Sequence, residues 1–77
     1  MTMTLSSTKV LELLRERQGR YITRDNEHFQ MKEADGSDVV MRDPSGRQYA
    51  IEPLPEMVDD LIAAQYLHRD GRVYRLA

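Results

Sequence analysis

A small single-domain α+β fold is expected of this chain, on three observations. Apolar residues recur at helical spacing, three and four apart, in 5–18 and again in 54–66. The stretch 20–52 between them alternates apolar and polar residues and is cut by turn-forming pairs. Near the end, Asp70-Gly71 interrupts a run of strand-forming residues, the strongest short hairpin signal in the sequence. The expected order is helix, three-stranded antiparallel meander, helix, terminal strand, in one domain over residues 1–77 with 1–4 disordered.

The first helix is read over Leu5 to Gln18. Ser6 serves as N-cap, its hydroxyl accepting an amide of the first turn that has no helical partner. Leu5 and Val10 then have the spacing of a hydrophobic staple. Val10, Leu11, Leu13 and Leu14 make the apolar face, Arg15 and Arg17 suit the negative end of the helix dipole, and Gly19 is the left-handed stop.

The middle third is read as strands. Tyr21-Ile22-Thr23 has β-branched and aromatic character, and Asp25-Asn26 marks a bend. In His28–Lys32, Phe29 and Met31 share one side. A turn at 34–38 leads to Val39–Arg42, and Asp43-Pro44-Ser45-Gly46 fits a type I turn before Arg47–Ile51. The 39–51 hairpin is expected to be the firmest part of the meander.

Pro55 suits the first position of a second helix, whose stripe is Met57, Val58, Leu61 and Ile62, extended by Tyr66. In the hairpin that follows, Tyr74 and Leu76 share one face of the closing strand, and Val73 and Arg75 the other. The expected core is Val10, Leu11, Leu14, Phe29, Met31, Val40, Tyr49, Ile51, Val58, Leu61, Ile62, Tyr74 and Leu76.

Composition narrows the functional classes. A domain of this size buries only about 60–65% of its unfolded surface, so its core is thin. No cysteine is present to supplement it with disulfides or a thiolate metal site. No apolar run is long enough to span a bilayer, and the start lacks a secretory pattern, so a cytoplasmic location and no membrane partner are expected. His28 and His68 lack the neighbours of a zinc site or a nucleophile, the glycines lie in separate turns, and the Asp spacing does not fit a calcium loop. The expectation is no enzyme, no cofactor, no metal and no evident small-molecule substrate.

Charge is unevenly spread. The chain carries −2 in all, yet residues 25–60 hold ten acids against three basic groups, with basic excesses on either side. The acidic candidates for protein contact are Asp35, Asp38, Asp43, Glu56, Asp59 and Asp60. The candidates for nucleic-acid contact are Arg15, Arg17, Arg20, Arg24, Arg69, Arg72 and Arg75.

Residues 54–77 resemble the end of a winged-helix domain. The helix with Leu61 and Ile62 comes first, then Arg69-Asp70-Gly71-Arg72 as the wing, then Tyr74-Arg75-Leu76 as its strand. The resemblance implies a winged-helix-like shape and, in that family, DNA reading. Here the helix that would enter the groove carries Glu56, Asp59 and Asp60 and no cation, and phosphates would repel it. In general profile only, the chain also resembles small phage or mobile-element proteins, among them anti-CRISPR inhibitors. The expected function is a non-catalytic module acting on a protein partner, as adaptor or inhibitor, or on a second copy of itself. The alternative is a winged-helix DNA-binding regulator.

Overall fold

In the computed structural model, which describes residues 5–77, two helices cover one face of a four-stranded antiparallel sheet, and a two-stranded ribbon projects from the body. The elements are α1 (Ser7–Glu16), β1 (Tyr21–Asp25), β2 (His28–Lys32), β3 (Val40–Arg42), β4 (Gln48–Ala50), α2 (Pro55–Ala63), β5 (Leu67–Asp70) and β6 (Val73–Leu76). The α+β expectation stands at this level. The disorder expected at 1–4 falls outside the described residues.

α1 begins as its sequence dictates. Ser6 is extended, and its hydroxyl accepts the Lys9 amide at 3.1 Å. The helix ends at Glu16, two residues short of the expected boundary. Gly19 keeps its left-handed conformation (φ +87°), and a Cβ there would lie 2.7 Å from that of Ala34, so both backbone and space demand glycine. α2 starts with Pro55 at its first turn and closes with paired bonds: the Tyr66 amide donates to Leu61 O and the Gln65 amide to Ile62 O. This is a Schellman ending, with Gln65 at φ +65° in the place glycine usually takes.

The sheet order is β2-β1-β6-β5, which corrects the expected meander. β1 pairs with β2 locally, and on its other side with β6 from the far end of the chain. The terminal strand is therefore an interior strand of the sheet, and β5 joins it as the second arm of the Gly71 hairpin. In these registers Ile22, Phe29, Met31, Leu67 and Tyr74 share the helix-covered face and are buried with the α1 and α2 stripes.

β3 and β4 form a separate sheet. Their base is tied to β2 by two backbone bonds, Val39 N–H to Met31 O and Met31 N–H to Ile51 O, and Ile51 N–H donates to Val39 O across the base itself. Val39, Met31 and Ile51 are all buried. Beyond this tie Met41 is half-buried against the core, while Val40 (52% exposed) and Tyr49 (36%) are exposed and leave the expected core. With Val39 turned inward, strand alternation turns Val40 outward. Ile62 and Leu76 are half-buried, while Leu13, Ile22 and Leu67 join the core.

Candidate binding surfaces

The seven candidate arginines separate into four placements. Arg20 is 9% exposed and bound internally. Its Nε and Nη2 donate to the two Glu33 oxygens at 2.8 and 3.2 Å, and Nη1 donates to Leu13 O at 2.6 Å. Glu16 approaches at 3.4 Å. The hydrogen bonds from Arg20 hold the Glu33 carboxyl below the usual range, and Glu33 in turn raises Arg20. This arginine joins the end of α1 to the end of β2, and its donors point into the fold.

Arg24 and Arg69 line a groove of about 550 Å³ between α2 and the turn end of the sheet. The buried rings of Phe29 and Tyr74 contribute to its lining, edge to face with centroids 5.5 Å apart. Pro55, Asp59 and Ile62, at helical spacing on α2, form one wall. Arg24, Glu27 and Arg69 come from the opposing sheet and its turn.

The two arginines are held by one device used twice. Arg24-Asp25-Asn26 and Arg69-Asp70-Gly71 each enter a two-residue loop whose first residue has positive φ, 56° at Asn26 and 65° at Gly71. Arg24 Nε donates to Asn26 O at 2.8 Å, and Arg69 Nε donates to Gly71 O at 2.9 Å. The Arg69 guanidinium also lies 6.0 Å from the Tyr74 ring centroid. The terminal nitrogens of both stay without a hydrogen-bond partner among the described residues. The repeated Arg-Asp-Asn/Gly pattern is the sequence signal that would have located this pair.

Arg15, Arg17 and Arg75 meet at a third place, a groove of about 460 Å³ between the end of α1 and β6. Arg72 sits exposed at the hairpin tip, where its carbonyl accepts the Arg24 amide at 2.9 Å.

The acidic candidates are not gathered into one band. Asp35 and Asp43 accept from the hydroxyls and amides of Ser37 and Ser45, closing two Asp-x-Ser turns; the serine hydroxyls hold both carboxyls low. Asp38 pairs with Lys32, and Asp60 accepts from the Ser7 hydroxyl at 3.2 Å, tying α2 to α1. Asp35 and Asp38 share a shallow depression with Arg17 and Glu33. Glu56 lies in the first turn of α2, where the helix dipole favours it. Asp59 alone of the six enters the aromatic groove. His28 and His68 are exposed strand residues, and no group of three or more potential metal ligands occurs among the described residues. No described helix is long and apolar enough to cross a membrane.

Set against protein-family models, curated proteins and solved structures, the chain finds no match in any of the three.

Proposed function

We propose that this protein is a non-catalytic interaction module that takes a segment of a partner protein in the groove between α2 and the turn end of the sheet. The observation that carries this reading is the pair of turn-held arginines beside an apolar lining. Arg24 and Arg69 have lost part of their side-chain freedom already, so a carboxylate bound there costs less ordering entropy. Ile62, half-buried and lining the groove with the buried Phe29 and Tyr74 rings, offers contact to one apolar side chain. Glu27 and Asp59 add negative groups to the same groove, so the fitting segment carries both signs of charge around its anchor. An adaptor or inhibitor role and a cytoplasmic setting belong to the same proposal.

The winged-helix likeness remains a proposal about shape, supported by α2 leading into the β5–β6 hairpin. Duplex reading by α2 is disfavoured by its exposed Glu56, Asp59 and Asp60.

Selection of displayed random 12-residue peptides tests the proposal. Enriched peptides should place an apolar residue within about four positions of a carboxylate. Replacing Arg24 and Arg69 together by alanine should weaken them by at least about tenfold, since hydrogen bonds to charged groups contribute about 1.5–3 kcal/mol. Failure to enrich, or equal binding by the double variant, refutes it.

A further inference from the structure

The Arg15, Arg17 and Arg75 groove differs from the first in its charge. Leu14 and Leu76 are its apolar lining, and no carboxylate lines it. None of these three arginines forms an ion pair among the described residues, whereas Arg20 beneath them is matched by Glu33. Three guanidinium groups along one groove are a local departure in a chain of net charge −2, with Glu33 within electrostatic reach of Arg17 from the adjoining depression.

Each edge of the cluster carries a tyrosine. Arg15 lies 5.4 Å from the centroid of Tyr66, which is 45% exposed. Arg75 lies 4.9 Å from the centroid of Tyr21 at the start of β1, the strand beside β6. A guanidinium resting on an aromatic ring is partly ordered yet keeps its N–H edge for an anion. Rings and guanidinium planes also provide surfaces on which unstacked bases can lie.

We infer that this groove binds single-stranded nucleic acid, with phosphates on Arg15, Arg17 and Arg75 and a base stacked at Tyr66. A duplex keeps its bases stacked away from such rings. The depression beside Arg17, with Glu33, Asp35 and Asp38, also interrupts the long cationic track that a duplex backbone requires. This site is separate from the peptide groove, and its proposal does not depend on that one.

The test is fluorescence anisotropy with a labelled 12-nucleotide single strand of mixed sequence, its duplex, and polyglutamate as competitor, over a salt series. Three phosphate contacts on a single strand predict a slope of log K against log salt of about −2. Arg15→Ala, Arg17→Ala or Arg75→Ala should each reduce that slope by about 0.7. Tyr66→Ala should weaken binding by about tenfold with the slope unchanged. Arg42→Ala, which removes one positive charge on the distant ribbon, should leave the slope as it is. The inference is overturned if the strand is not bound at the lowest salt, or if Arg42→Ala acts like the groove variants. It is equally overturned if duplex binds as tightly, or if polyglutamate displaces the strand at equal charge, which would assign the groove to acidic peptides.

Discussion

Arg20 is the one arginine of the seven whose role is settled by its surroundings. Burying a guanidinium is unfavourable unless its donors are engaged, and here two carboxylates and a carbonyl engage them. Glu33 titrates below its ordinary value in the folded state. Its contribution to stability is therefore complete above the unfolded value of about 4.3 and disappears as pH falls through the folded one. Glu33→Gln should lower stability at pH 7 by about 1–3 kcal/mol, and the gap from the parent should close as pH falls through the folded value of Glu33. Urea unfolding at a series of pH values checks this; a gap constant across the range would show that the ion pair contributes nothing. In the sequence, Arg20 looks like every other surface arginine, because its two closest partners, Leu13 O and Glu33, lie 7 and 13 residues away.

Among the elements, the ribbon and the helix endings are the instructive cases. The β3–β4 turn obeys its local chemistry, with the Gly46 amide donating to Asp43 O at 2.9 Å as the Asp-Pro-Ser-Gly pattern predicts. The hairpin expected over 39–51 forms, and its burial is concentrated at the base, where Val39 and Ile51 are buried, with Met41 half-buried against the core. Ile51→Ala should cost about 2–5 kcal/mol, and Tyr49→Ala less than about 1 kcal/mol. Amide exchange should be faster at Arg42 and Gln48 than at Ile22, where both neighbouring strands protect the backbone. Slow exchange along the whole ribbon would contradict this account. At the end of α2 the stop is equally local, but Gln65 gives no composition signal for the left-handed turn that glycine would have advertised.

For the molecule as a whole, everything rests on the return of β6 to β1. That pairing encloses Ile22, which is fully buried, and brings Tyr74 against Phe29. It also assembles both proposed sites, since Arg69 and Tyr74 enter one groove and Arg75 the other. A chain ending at Tyr66 should lose the cooperative urea transition, because β1 and the helices would have no sheet to cover. A cooperative transition retained in the shortened chain would show that α1, β1 and β2 form a folding unit of their own.

The Ser6 cap, the Asp43–Gly46 turn and the Gly71 hairpin loop were readable from neighbouring residues, because each depends on contacts within about four positions. So was the alternation that buries Phe29 and Met31. The strand order, the inward turn of Val39 and the division of the arginines into buried, groove and tip positions were not. Those features follow from pairings between distant segments, and the local pattern of a short strand is satisfied equally by several neighbours.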